Sequence, residues 1–302
     1  MVKRMAPEKG ALFLIINEKI MKLKRIVFVA LLLFSVMTMQ AQMIRVATYN
    51  MRNDNNSEDS THGNGWKQRF PVISEMIKFH DFDIFGTQEL LYHQIQDLHS
   101  LLPGYAFYGI GRDDGKQAGE FSEIFYKKDK FQMLAHGDFW LSETPEKPGL
   151  GWDATCCNRI CSWVLLQDKQ SKKKFYVFNT HYDYQKDLAR NESSKLILNK
   201  IKSIAGTQPV IFMGDLNGGN ETSWYKEVDN SGILKDTFKE AKNPYAVNGS
   251  FNAFGGAVKS NEIIDHIFVS NQFKVEKWGI LTDTYHGRYP SDHFPVLTVV
   301  KL

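Results

Sequence analysis

Cysteine is scarce in this chain of 302 residues: there are three, all inside "TCCNRICSW" (155–163). No CxxC pair and no histidine at zinc spacing accompanies them, which argues against a structural zinc site. Cys161 sits in the apolar run "RICSWVLL" and reads as a small buried residue. In an exported protein the odd count leaves at least one thiol free. Long apolar runs are missing too, with one exception. "MKLKRIVFVALLLFSVMTMQAQ" (21–42) has a basic start at Lys22, Lys24 and Arg25, an apolar stretch from Ile26 to Val36, and small Ala41 before Gln42. That stretch is too short to cross a bilayer and has the composition of a secretory signal peptide. Residues 1–20 then form an upstream extension, with Met21 as an alternative start.

Positive charge is also in short supply. The whole chain carries 37 basic and 34 acidic side chains, a formal net charge of +3. Residues 1–41 hold seven of the basic and two of the acidic ones, so the 261 residues from Gln42 onward keep 30 against 32, a net −2. A slightly acidic protein lacks the broad positive field that sequence-independent nucleic-acid binding draws on, although a local patch remains open. No internal repeat, low-complexity tract or linker interrupts the rest. The reading is one domain over 42–302, exported to the periplasm or outside the cell, and monomeric.

What is present is a series of short apolar runs separated by turn residues, at 44–51, 82–89, 122–128, 161–168, 174–183, 209–216, 264–270 and 294–300. Between them, 69–80, 90–102 and 187–204 carry apolar residues at spacings of three and four, which predicts helices. Strands mixed with a few helices, without strict alternation, predict an α/β (α+β) fold of two packed sheets flanked by helices. Polar residues gather at the ends of the runs: Asn50, Glu89, Glu120, His181, Asp183, Asp215, Asn217, Asp265, Asp292 and His293. In "PVIFMGDLNGG" (209–219), Asp215 and Asn217 suit a turn as well as a site. Ten such residues together favour a single polar site assembled from many strand ends.

The segments "VATYNMR", "DIFGTQE", "NTHYD", "FMGDLN", "IDHIF" and "SDHFPV", in this order, resemble the endonuclease/exonuclease/phosphatase superfamily, which includes DNase I, apurinic endonucleases, sphingomyelinases and inositol polyphosphate 5-phosphatases. The resemblance implies a four-layer αββα sandwich and a phosphoester hydrolase that uses Mg²⁺ or Mn²⁺. By that likeness Glu89, aided by Asn50 and Asp292, holds the metal. Asp215 orients or deprotonates the attacking water, and Asn217 donates to the phosphate. His293 contacts the phosphoryl oxygens or the water with Asp265 behind it, and His181 donates to the phosphate with Glu120 as its partner. Arg159 and Arg190 are the basic candidates for further substrate contact. Asp183 and, within "SFNAFGG" (250–256), Asn252 complete the substrate set. Phe251 and Phe254 fit that pocket element and a core position equally. Trp66 and Arg69 read as a packing pair at a helix start.

Phosphate esters resist attack because they are anionic, so a hydrolase needs a cation, an activated water and donors for the developing charge. These residue types supply them. Three readings follow: a hydrolase of small or lipid-linked phosphate esters, a secreted nuclease, and a binding protein that has lost catalysis. The last is weakest, because every position that aligns with the motifs is filled by the expected type. The few arginines beside the motifs, Arg52, Arg112, Arg159 and Arg190, suit one or two phosphates better than a long backbone, so a small mono- or diester is favoured over nucleic acid. The lysines of "DKQSKKKFYV" read as a hairpin tip, and their distance from the site separates the first two readings. The leader has no lipobox cysteine, so a soluble exported protein is expected. N-terminal sequencing of protein recovered from the host envelope should start at Gln42; an intact leader on cytoplasmic protein would refute export.

Overall fold

A strand covered on both faces has to be apolar at nearly every position, whereas an edge strand can alternate. Both kinds occur in the computed structural model, which describes residues 18–27, 43–246, 248–257 and 261–302. Residues 18–27 are helical, and 28–42, with most of the expected leader and its cleavage site, lie outside the described residues. Among the described residues no helix is long and apolar enough to cross a membrane.

Residues 43–302 form one unit. Its elements run β1 (Met43–Asn50), α1 (Ser57–Thr61), α2 (Trp66–Phe79), β2 (Ile84–Gln88), α3 (Tyr92–Leu101), β3 (Tyr105–Tyr108), β4 (Ile124–Lys127), β5 (Phe131–Trp140), β6 (Ile160–Asp168) and β7 (Lys174–His181). Then come α4 (Asp187–Ala205), β8 (Val210–Asp215), α5 (Ser223–Asp229), β9 (Leu234–Asp236), α6 (Thr237–Glu240), β10 (Asp265–Ser270), β11 (Lys274–Ile280) and β12 (Val296–Lys301). They build two six-stranded sheets, ordered β11-β12-β1-β2-β4-β3 and β5-β6-β7-β8-β10-β9.

Each sheet has one parallel pair at its centre, β1 with β2 and β7 with β8; the other pairs are antiparallel. Parallel neighbours need a crossover, which α1 and α2 provide in the first sheet and α4 in the second. Three buried apolar clusters separate four layers. Val46, Ile84, Val177, Ile211, Met213 and Val296 pack between the sheets. Ala47, Tyr49 and Phe85 face Ile73, Ile77, Ile95 and Leu98 of α2 and α3. Phe178, Phe212 and Phe268 face Ile197, Ile201 and Tyr225 of α4 and α5. The continuous apolar runs of the sequence are thus period-two strands with both faces covered. The αββα sandwich follows. Helix α4 stops where Gly206 takes a positive φ of 58°.

The strands that the sequence pattern does not reveal are β3, β5, β9 and β11. All four are sheet edges, and β11 opens with Lys274, Glu276 and Lys277 among its first four residues, none of them buried. β5 interrupts its pattern with His136, Gly137 and Asp138, since one face meets solvent. Where the central strands meet between the layers, a polar clamp joins the sheets. Asn179 on β7 accepts from Gln88 Nε2 (2.7 Å) and donates to the carbonyls of Thr87 (2.9 Å) and Glu123 (2.8 Å). Gly86 makes room for it: a Cβ there would stand 2.5 Å from the Asn179 carboxamide oxygen.

Glu123, fully buried beside this clamp, accepts a hydrogen bond from the Thr87 hydroxyl through Oε2, while Oε1 has no partner among the described residues. Burial pushes its carboxyl up to about 8. The folded protein therefore keeps this proton where the unfolded chain, with its ordinary carboxyl, has released it. Stability drains away as pH rises from the ordinary glutamate range to about 8. Urea unfolding of Glu123→Gln should show a flatter loss of stability between pH 5 and pH 8 than the parent; parallel losses in the two proteins would contradict this.

Candidate active site

In a parallel pair both carboxyl ends reach the same sheet edge, and here the two pairs bring their ends together. Asn50 ends β1, Glu89 follows β2, His181 ends β7 and Asp215 ends β8, with His181 and Asp215 in register across the pair. Asp265 opens the antiparallel β10 directly opposite Asp215. Gly214 must be glycine for this: its φ is 155°, and a Cβ would meet the Thr180 carbonyl oxygen at 2.1 Å. Just past three of the strand ends, Arg52, Glu89 and Asn217 adopt left-handed φ values of 59°, 69° and 49°. Non-glycine residues there store backbone strain, which concentrates at functional sites.

Asn50 links the sheets. Its Nδ2 donates to Glu89 Oε1 (3.0 Å) on its own sheet and to Asp215 Oδ2 (3.1 Å) on the other. Asp215 also accepts from the Asn217 amide N–H (2.9 Å), and His181 Nε2 and His293 Nε2 stand 3.5 and 3.8 Å from its Oδ2. His293 Nδ1 bonds Asp265 Oδ2 at 2.9 Å. Asp215, Asp265 and His293, all buried, place ligand atoms within 4.8 Å of one another, close enough to share a cation.

The electrostatics divide the groups. Burial opposes charge on His293, yet Asp265, Asp215 and Asp292 outweigh it and raise the imidazole to about 10, so it is an imidazolium at neutral pH. Burial, with Asp265 adding to it, lifts Asp215 to about 7. His181 goes the other way: burial, then Arg159 and Arg112, hold it well below its usual value and therefore neutral. Asn217 Nδ2 lies 3.1 Å from its Nε2, which leaves Nδ1 facing Glu120 Oε2 at 3.9 Å. Burial also works against Glu89, but hydrogen bonds from Asn50 and Asn53 and the charges of His293 and Arg52 keep its carboxylate ionised below the ordinary range. Burial raises both Asp292 and Glu120.

These groups open onto a cavity of about 440 Å³. Glu89, Glu120, Arg159, His181, Asp215, Asn217, Asp292 and His293 line it, with Asn50 and Asp265 directly behind. Arg190, Asp183 and Asn252 stand one layer back. Arg190 packs 4.3 Å over the Trp224 ring and donates to the Asp183 carbonyl; Asp183 accepts from the backbone N–H groups of Gln185 and Lys186; Asn252 accepts from the Phe254 N–H. Arg69, read from sequence as a packing residue, stacks on Trp66 and also donates to the carbonyls of Met51, Arg52 and Pro290, holding the loops that carry Arg52 and Asp292. Sequence reasoning missed Asn53, which donates to Glu89 Oε2 through both N and Nδ2 and to Glu120 Oε1. Its only signal was its place three residues after Asn50. Cys156, Cys157, Tyr184 and Phe251 also line the cavity.

Arg159 is 5% exposed, and its Nε and Nη1 have no hydrogen-bond partner among the described residues. Beside it Arg112 donates to Glu120 Oε2 at 2.5 Å and leaves its own Nε unpartnered. Arg159 Nε stands 4.0 Å from Asp183 Oδ2, beyond hydrogen-bond reach, so buried guanidinium donors line the cavity without an acceptor.

The profile of the Endonuclease/Exonuclease/phosphatase family matches residues 47–293. The chain belongs to that family. Among solved structures, it is 46% identical to a mannosyl-6-phosphatase of Bacteroides thetaiotaomicron VPI-5482, covering 86% of this chain and 100% of that one with a TM-score of 0.83. An endonuclease/exonuclease/phosphatase from Bacteroides vulgatus is 38% identical over 86% of this chain and 99% of its own, with a TM-score of 0.82. An uncharacterised protein of Acanthamoeba polyphaga mimivirus is 24% identical over 208 residues; that match takes in 58% of this chain and only 30% of the viral protein.

The raised imidazole of His293 depends first on Asp265. In metal-free Asp265→Asn the ring should titrate at lower pH than in the parent, as followed by NMR of its ring protons. An unchanged titration would remove Asp265 as the cause.

Proposed function

We propose that this chain is a divalent-metal-dependent phosphatase of small phosphate esters, with a sugar phosphate as its substrate class. The observation that carries the reading is the buried Arg159 guanidinium, which lines the same cavity as Asp215, His181 and His293, has no hydrogen-bond acceptor for Nε and Nη1 among the described residues, and has Asp183 Oδ2 4.0 Å from Nε. An anion-binding group and a hydrolytic group share one enclosed space. The mannosyl-6-phosphatase, at 46% identity over its whole length, supports the choice of leaving group.

The donor set fits a hard cation. Glu89 and Asp292 offer carboxylate oxygens, and the Arg52 guanidinium stands 4.0 and 3.7 Å from them, as a positive charge between two acids. Glu89, with Asn50 and Asp292, would hold Mg²⁺ or Mn²⁺, because the close Asp215–Asp265–His293 group already contains the positive charge of the His293 imidazolium. Such an ion supplies charge neutralisation and polarisation of the phosphoryl oxygen. The chain's own groups do the rest. Asp215, poised at about 7, orients a water and accepts its proton, which suits a general base working near neutrality. The His293 imidazolium and the guanidinium of Arg159 donate to the phosphoryl oxygens as negative charge grows. Asn217 and neutral His181 complete the donor ring.

Substrate size follows from where the other cations are. The lysines at 169, 172, 173 and 174 lie at the turn between β6 and β7. Nine residues of β6 separate that turn from Arg159, roughly 25–30 Å at about 3.3 Å per residue. They cannot extend the cavity into a polymer track, which favours a small ester over nucleic acid. Action outside the cytoplasm is part of the proposal: the leader supports it, as does the disulfide between Cys156 and Cys157.

The test is turnover, with Mg²⁺, of a panel of sugar, nucleotide and lipid-headgroup phosphates against plasmid DNA and RNA. Small esters should be hydrolysed and chelator should abolish the activity. Asp215→Ala and His293→Ala should each lower turnover at least about a hundredfold, with little loss of folding. Salt-sensitive nicking of DNA without small-ester turnover would identify a nuclease instead. Activity that survives both chelator and Asp215→Ala would rule out the mechanism.

A further inference from the structure

A disulfide stabilises a fold by closing a loop of chain, and the gain grows with the loop. Cys156 and Cys157 are sequence neighbours, so their disulfide closes no such loop and cannot be a staple of the fold. What it shapes is local, and both residues line the cavity.

The segment that carries them, between β5 and β6, is fastened on either side of the pair. Asp153 accepts from the Ala189 N–H (2.9 Å), Thr155 donates to Gln185 (3.3 Å), and Asn158 donates to the Arg112 carbonyl (3.4 Å). Tyr184, 52% exposed, lines the same cavity; its hydroxyl accepts from Gln185 (3.0 Å) and its ring centroid lies 6.0 Å from the Arg159 guanidinium carbon. The cavity thus is lined by a buried guanidinium and, closer to solvent, by the apolar and polarisable surface of Tyr184 and the cysteine pair. Sulfur and aromatic faces favour the C–H faces of a compact ring. Because the pair closes a small ring with its own peptide bond and the flanks are tied, this surface is in place before a ligand arrives, and little ordering cost falls on binding.

We infer that the Cys156–Cys157 disulfide and Tyr184 form the wall that receives the sugar ring of the substrate, and so determine specificity for the leaving group while Arg159 takes its phosphate. The inference rests on the phosphatase reading above and adds the residues that choose the alcohol.

The test compares mannose 6-phosphate with methyl phosphate, which has no ring to place. In Cys156→Ser/Cys157→Ser the ratio of kcat/KM for the two should fall at least about tenfold, mainly through the KM of mannose 6-phosphate, the scale of a lost pocket contact. A ratio unchanged within about twofold would overturn the inference, even where both kcat/KM values fall together. A second measurement needs neither catalysis nor a folded variant. Binding of mannose 6-phosphate and of inorganic phosphate to the metal-free, oxidised parent is measured by calorimetry, and again after Cys156 and Cys157 have been reduced and alkylated. A preference for the sugar phosphate of at least about tenfold that is lost on reduction supports the wall; no preference in the oxidised protein, or one unchanged after reduction, refutes it. If the parent hydrolyses neither ester, the phosphatase reading fails and the binding result alone decides the wall.

Discussion

One carboxamide couples the two halves of this protein. Asn50, at the end of β1, donates from a single nitrogen to Glu89 on its own sheet and to Asp215 on the other. The site has acidic groups on both sheets, and like charges brought together in a low-dielectric interior repel unless donors and cations are interleaved. Asn50 supplies a donor at the seam, His293 a positive charge between Asp265 and Asp215, and Arg52 a positive charge between Glu89 and Asp292. Beneath them the Asn179–Gln88 clamp sets how the sheets meet, and Gly86 lets them approach. The placing of every cavity group depends on that meeting.

The charges also explain why so many ionisable groups in one place do not share one state. His293 faces three carboxylates that outweigh its burial and is held charged; His181 is held neutral first by burial and then by two guanidinium groups. Glu89 is surrounded by donors and stays ionised, whereas Asp215, despite its two donors, is lifted by burial and by Asp265. Environments that push neighbouring groups apart are how one site holds a base and an acid near neutral pH. Arg112 and Arg159 add buried guanidinium donors that have no hydrogen-bond acceptor among the described residues, although Arg112 pairs with Glu120 and Arg159 Nε lies 4.0 Å from Asp183 Oδ2.

Much of this was legible in the residues. The central strands announce themselves as apolar runs because both faces are covered, and the residues at their ends converge because parallel pairs with helical crossovers send their carboxyl ends to one edge. The edge strands were not legible: β5 and β11 carry polar residues on a solvated face and lack the contrast that marks a buried strand. Asn53 was equally invisible, since an asparagine in a turn is ordinary until a carboxylate from β2 arrives beside it. Arg190 read in sequence as a candidate substrate contact, but α4 turns it onto Trp224.

The sequence alone determined the strand cores, the motif residues at their ends and the family they resemble, because those depend on local pattern and residue type. Only the tertiary structure decided which histidine is charged, which arginine keeps unpaired donors, and that two adjacent cysteines face the cavity. Each of those depends on burial and on neighbours more than twenty residues away along the chain, and the desolvation and pairing that set them exist only once the sheets have packed.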